Sequence, residues 1–235
     1  MMQMKKYKLN KGVFIAIEGI DGAGKTTQVQ RLKEYFQRKN LIVNTFKEPT
    51  DGHYGQLIRE IAKTGRHLYT PEEELNLFLM DRKEDCEKNI NPALAKNELV
   101  IMDRYYHSNI AYQGALGIDR ELIQSKNEKI AIIPDLVIIL DCAVRVGLAR
   151  IKYSRNETPN HFENEHYLQK VKKIFQAMSG PNIQVVNSTP DEDTVFNHVR
   201  NIVNDMIAPY LIETDEQQDL FGTTENTPTY KFSEN

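Results

Sequence analysis

Two glycines and a spacing of four residues, then lysine and a hydroxyl, stand near the amino terminus in Gly19-Ile20-Asp21-Gly22-Ala23-Gly24-Lys25-Thr26, with Thr27 behind them. That arrangement suits phosphate. Glycines let successive backbone N–H groups point inward, and a following helix adds positive potential at its start. The lysine can reach β- and γ-phosphates, and the hydroxyl can ligate Mg²⁺. Gly19, Gly22, Ala23, Gly24, Lys25, Thr26 and Thr27 are therefore expected to hold a nucleoside triphosphate. Asp103-Arg104 closes an apolar run. An acid there can reach Mg²⁺ or its bound water, and the arginine can grip a second phosphate with two prongs. Phe78 and Arg82 are four apart, hence on one helix face. A ring and a guanidinium so placed can stack on and hydrogen-bond to a base, although a core ring and a surface arginine give the same spacing.

These groups need a frame, and the sequence supplies one. Val13–Ile17, Leu41–Phe46, Leu99–Met102, Leu136–Leu140 and Ile183–Val186 read as five short buried strands. Helical spacings separate them: Val29, Leu32 and Phe36; Leu57, Ile58, Ile61 and Ala62; Leu75 to Arg82, running toward Ile90; residues 105 to 115; residues 120 to 126; Val144, Leu148 and Ile151; Leu168, Val171 and Phe175; Val195 to Met206. Thr70-Pro71-Glu72-Glu73 and Thr189-Pro190-Asp191-Glu192 both read as capping boxes. Lys47 to Gly52 reads as a loop, and so does the polar stretch 154–160. Strands alternating with helices imply an α/β, three-layer fold: a five-stranded parallel sheet with helices on both faces, its ligands at the carboxyl ends of the strands.

The 235 residues carry a formal charge of −3, which does not suggest a nucleic-acid coat. The two cysteines, Cys86 and Cys142, and the six histidines show no metal-ligand spacing. No apolar run has membrane-spanning length, and no cleavable signal segment follows the first lysines, so a soluble cytoplasmic protein is expected. One domain is expected over 1–212, with an acidic, disordered tail over 213–235.

From Val13 to about Ile207 the chain resembles the thymidylate kinases, P-loop kinases of nucleoside monophosphates. The resemblance rests on an ordered set: residues 14–28, Glu48-Pro49, Phe78-Leu79-Met80-Asp81-Arg82, Asp103-Arg104-Tyr105, Ser108-Asn109-Ile110-Ala111-Tyr112-Gln113-Gly114 and Pro134 to Asp141. It implies ATP with Mg²⁺ at Thr26 and Asp103, dTMP as the second substrate, and a homodimer. It also implies roles. Asp21 takes the 3′-hydroxyl of the deoxyribose. Phe78 stacks on thymine and Arg82 donates to its carbonyl. Ser108 and Asn109 face the base and phosphate, with Glu48 and Gln113 in the same substrate-binding set. Tyr112 crowds a ribose 2′-hydroxyl. Arg104 clamps the dTMP phosphate, and Arg150 stacks on adenine.

The segment near Arg155, about 152–164, resembles the lid over ATP. Family members lacking an arginine in the phosphate loop supply one from the lid. Gly22 and Ala23 are small, so Arg155, with Lys152 second, is expected to give that charge. The chain departs from the family in three places: Lys47 stands where many bacterial members have arginine, His161 stands near the usual lid arginine, and the acidic tail has no counterpart. The competing readings are a kinase for another nucleotide or a deoxynucleoside, a P-loop switch protein, and an inactive paralogue.

Overall fold

The computed structural model describes residues 6–155 and 164–214, with the side chains of all of them except Ser154 and Arg155. Along the chain come β1 (Lys6–Leu9), β2 (Val13–Glu18), α1 (Lys25–Gln37), β3 (Val43–Lys47), α2 (His53–Thr64) and α3 (Pro71–Asp85). A π-helical turn (Cys86–Ile90) leads into α4 (Asn91–Ala95), β4 (Leu99–Asp103), α5 (Tyr106–Ala115), α6 (Arg120–Glu128) and β5 (Leu136–Asp141). Then follow α7 (Val144–Arg155), α8 (Glu165–Ala177), β6 (Ile183–Asn187), α9 (Glu192–Ile207) and β7 (Leu211–Thr214).

The five expected strands make one parallel sheet in the order β3-β4-β2-β5-β6. β2 lies at its centre, pairing Val13 with Leu99 on one side and Ile15 with Leu136 on the other. Every residue of β2 and β4 is buried, which is why both read as unbroken apolar runs rather than alternating ones. Helices cover both faces, and every pairing in the sheet is parallel, so all five strands point their carboxyl ends to one side. The phosphate loop, Asp103-Arg104, and the turns after β3, β5 and β6 therefore meet there.

The fold departs from the sequence expectation in four places. The Thr70 capping box forms as expected, with Thr70 and Glu73 exchanging bonds. Thr189 forms none: Asp191 caps α9, its two carboxylate oxygens accepting from Thr194 N at 2.9 Å and from Thr194 Oγ1 at 2.7 Å. The helix expected to end near Ile90 instead passes through the π-turn and continues to Ala95. Asn91 N bonds back to Cys86 O there, and the wider turn precedes Pro92, which has no N–H to give. The stretch read as a loop from residue 154 is still helix at Ser154 and Arg155. Residues 6–9 and 211–214, none of them read as strand from the sequence and the last two assigned to the disordered tail, form an antiparallel ribbon in which Tyr7 pairs with Glu213 and Leu9 with Leu211. The acidic segment thus begins inside a strand, and the rest of it, 215–235, lies outside the described residues, as do Asn156 to Glu163 of the expected lid, including His161.

Ile15, fully buried at the centre of the sheet, is part of the hydrophobic core. Ile15→Ala should lower unfolding free energy by about 2–5 kcal/mol, read as a fall in the denaturant midpoint at unchanged slope.

Candidate active site

The phosphate loop leaves β2 at Gly19 and enters α1 at Lys25. Gly22 has a φ of +74°, and a Cβ on it would lie 2.1 Å from the Gly147 carbonyl oxygen of α7. The smallness read from the sequence thus has a steric cause: α7 rests on the loop backbone. Ala23 is buried at 1% exposure, so a long side chain has no room there either. Lys25 folds back and donates to the carbonyls of Gly19 at 3.0 Å and Ile20 at 2.8 Å. Burial, and then the nearby positive charge of Arg104, push its pKa down to about 8, against the pull of Asp21, Asp103 and Glu18. Thr26, exposed to the cavity, donates from Oγ1 to Asp103 Oδ2 at 2.5 Å.

That hydroxyl and carboxylate are hard oxygen donors meeting at the ends of α1 and β4. Mg²⁺ takes one or two protein oxygens and completes its shell with waters and substrate phosphates, so the pair fits it. Among the described residues no group of three or more His, Cys, Asp or Glu is arranged to hold a metal by protein ligands alone.

Arg104 is set by its backbone. Its φ is +74°, and its N–H donates to Ile17 O at 3.0 Å. This reversal sends the guanidinium back over the loop, where it donates to Asp21 Oδ1 at 2.5 Å and to Ser108 Oγ at 3.2 Å. Tyr112 donates to the other Asp21 oxygen at 2.7 Å, with the Arg104 guanidinium 5.2 Å from its ring centroid. Glu18, the last residue of β2, holds the turn. It accepts from Tyr105 N at 2.8 Å, Ser108 N at 3.2 Å and Ser108 Oγ at 2.6 Å.

A cavity of about 1150 Å³ opens from this cluster. Asp21, Thr26, Asp103, Arg104, Ser108 and Tyr112 line it around this cluster, and Glu48, Phe78, Asn109 and Gln113 line it as well. Phe78 lies half-buried in the wall. Arg82 does not line the cavity. It lies 1% exposed beneath it, donating to Glu48, Asn109 and Asn127. Burial pushes the Glu48 carboxyl up to about 8 despite Arg82 beside it. Arg150 stands apart, on α7, donating to Ser188 O at 3.0 Å at the exit of β6. Lys152 is exposed on the same helix, Lys47 is exposed at the cavity rim, and the Arg155 side chain lies outside the described atoms.

Sequence reasoning missed four buried acids around this cavity: Glu18, Glu74, Asp81 and Asp85. Asp81 holds the loop after Pro49 by accepting from Thr50 N at 2.8 Å and Thr50 Oγ1 at 2.6 Å. Glu74 accepts from Arg66 and Gln113. The available signal was position: Glu74, Asp81 and Asp85 fall on the face of α3 that also carries Leu75 and Arg82.

A family model described as thymidylate kinase matches residues 17–199. The thymidylate kinase of Desulfotalea psychrophila is 46% identical over 186 residues, which is 79% of this chain and 91% of that protein. A probable thymidylate kinase of Archaeoglobus fulgidus is 43% identical over 195 residues, covering 83% and 96%. Among solved structures, thymidylate kinase from Ehrlichia chaffeensis aligns with a TM-score of 0.66 and 28% identity, over 82% of this chain and 99% of that one.

The depressed Lys25 has a measurable consequence. Phosphate oxygens beside the amine favour its charged form, so nucleotide binding must raise its pKa from about 8. Calorimetry of ATP binding at pH 8, in buffers of different ionisation heat, should show uptake of roughly half a proton. The uptake should shrink below pH 7 and vanish in Lys25→Met. An uptake that Lys25→Met leaves unchanged would place the titrating group elsewhere.

Proposed function

The chain belongs to the thymidylate kinase family and transfers the γ-phosphoryl group of MgATP to dTMP, giving ADP and dTDP; we propose how its residues divide that work. The observation that carries the assignment is the single cavity joining Thr26, Asp103 and Arg104 to Phe78, Asn109 and Gln113. One end has the chemistry for phosphates and the other for a flat base.

Gly19 to Thr27 cradle the triphosphate, with Lys25 on its β- and γ-oxygens, and Arg150 packs against adenine beyond β6. Thr26 and Asp103 would hold Mg²⁺, which when bound neutralises charge on the phosphate oxygens. Phe78 stacks on thymine. Arg82, from beneath, places its positive charge at the base carbonyl, next to Glu48, Asn109 and Gln113. Asp21 accepts from the 3′-hydroxyl, and Tyr112 fills the space a 2′-hydroxyl would need. Arg104 and Ser108 hold the dTMP phosphate.

The attacking group is a phosphate oxygen of dTMP, already anionic, so no strong general base is needed. Catalysis is alignment of that oxygen with the γ-phosphorus and cancellation of the charge on the equatorial oxygens. In the resting site Arg104 is occupied by Asp21. When dTMP enters, its phosphate and hydroxyl divide that ion pair between them, so the cost of separating the pair is offset by two charge-assisted bonds. Arg155 brings the last positive charge from the lid. The working form is a homodimer in the cytoplasm. Met80 on α3, 45% exposed, and Leu68 before it, 75% exposed, support an apolar contact there. Among the described residues no helix is long and apolar enough to cross a membrane.

Coupled ADP release across dTMP, dUMP, AMP and CMP should show a clear preference for dTMP; a preference for AMP or CMP would overturn the substrate assignment. Arg155→Ala should lower kcat on the order of a thousandfold with the KM for dTMP nearly unchanged. A fall of less than about tenfold would remove Arg155 from the catalytic set.

A further inference from the structure

Four polar side chains run in series along the base end of the cavity, each about 1% exposed: Glu74, Asn109 and Gln113 line it, and Arg82 lies behind them. Arg82 Nη1 donates to Asn109 Oδ1. Asn109 Nδ2 donates to Gln113 Oε1 at 3.1 Å. Gln113 Nε2 donates to Glu74 Oε1 at 2.9 Å. The two ends have fixed character, because a guanidinium only donates and a carboxylate only accepts. The two amides between them can each face either way in principle. Here they have one consistent arrangement. Reversing both would set the Asn109 amino group against Arg82 and the Gln113 carbonyl against the Glu74 carboxylate. Reversing one would oppose two like groups in the middle. Each mismatch leaves buried polar atoms unpaired.

The acceptor end is itself held. Arg66 Nε donates to Glu74 Oε2 at 2.7 Å, and Arg66 Nη2 donates to the Tyr167 hydroxyl at 3.1 Å. The Tyr167 hydroxyl in turn donates to Tyr112 O at 2.7 Å. Glu74 is thereby fixed from α2's exit, from α5 and from α8 at once.

The polarity of the series matters for the base. Arg82 beside Asn109 Oδ1 is a donor next to an acceptor. That complements a carbonyl next to a ring N–H, the edge of thymine. Cytosine presents an amino group next to a bare ring nitrogen, the opposite order. A freely turning amide could serve either base, whereas a locked one serves only the first. We propose that Glu74 is a specificity-determining positioning residue: acting through Gln113, it locks the Asn109 amide and so selects thymine over cytosine. This rests on the reading of the site as the dTMP pocket. Glu74 lines the cavity, but its part in the selection runs through its neighbours. It sets which way its neighbours face.

The test compares kcat/KM for dTMP and dCMP in the wild type, Glu74→Gln and Gln113→Met, by ADP release. Glutamine at 74 can donate as well as accept, so it no longer imposes a direction. Methionine at 113 cuts the series while leaving the Arg66–Glu74 pair intact, which keeps the test decisive if the first variant does not fold. In each folded variant the dTMP-to-dCMP ratio should fall by about tenfold, with the KM for ATP unchanged. A ratio within twofold of wild type, including an equal loss on both substrates, overturns the proposal. A wild type with no preference for dTMP overturns the dTMP reading itself, a separate outcome.

Discussion

The site depends on one buried carboxylate. Glu18 ends the central strand, is 0% exposed, and ties the β4–α5 turn to the phosphate loop through three hydrogen bonds. Burial pushes its pKa up, while the bond from Ser108 and the charge of Arg104 oppose the rise. Those partners are what make a carboxylate tolerable at that depth. In return, the turn holds Arg104 in a left-handed conformation that a non-glycine residue adopts only under constraint. The guanidinium then lies over the loop instead of pointing along the strand. Arg104, Asp21, Tyr112 and Ser108 all take their places from that single tie.

A second polar system stands at the α3 side of the cavity, as the first stands at the phosphate loop. α3 buries Glu74, Asp81, Arg82 and Asp85 on the side where an ordinary amphipathic helix would carry apolar groups. Its ion pairs and amides make few contributions to stability that apolar packing would not match. They give fixed donor and acceptor positions instead. The helix also orders the loop after Pro49 through Asp81 and Thr50. The base wall and the loop bearing Glu48 are thus parts of one rigid unit.

The same physics explains what could be read in advance. Strands buried on both faces leave unbroken apolar runs, so β2, β4 and β5 were legible on that ground, while the edge strands β3 and β6, only partly buried, were legible as short apolar runs; so was the loop between β2 and its helix. The Thr70–Glu73 cap was legible because its chemistry is local. Glu18, Glu74 and Asp81 were not, since an acid in a hydropathy pattern reads as surface, and its burial depends on partners distant in sequence. The depth of Arg82 was not legible either, since a helical arginine reads as surface and its burial rests on Glu48, Asn109 and Asn127. The β1–β7 ribbon escaped because four-residue strands at the surface carry no periodic signal. Asp191 displaced Thr189 as a cap because two residues able to take that role stand two positions apart.

The contact between Gly22 and Gly147 reaches further than the loop. A Cβ on Gly147 would come within 2.6 Å of the Asp21 carbonyl oxygen, so neither glycine tolerates exchange while the other stays in place. Two positions far apart in the chain are thereby bound to a common fate. A lineage that kept this seating of α7 could not regain an arginine at Gly22 by single steps, since the intermediate would lift the helix from its seat. The exclusion of a long side chain from the phosphate loop at Gly22 is in that sense inherited from a packing contact with a distant helix.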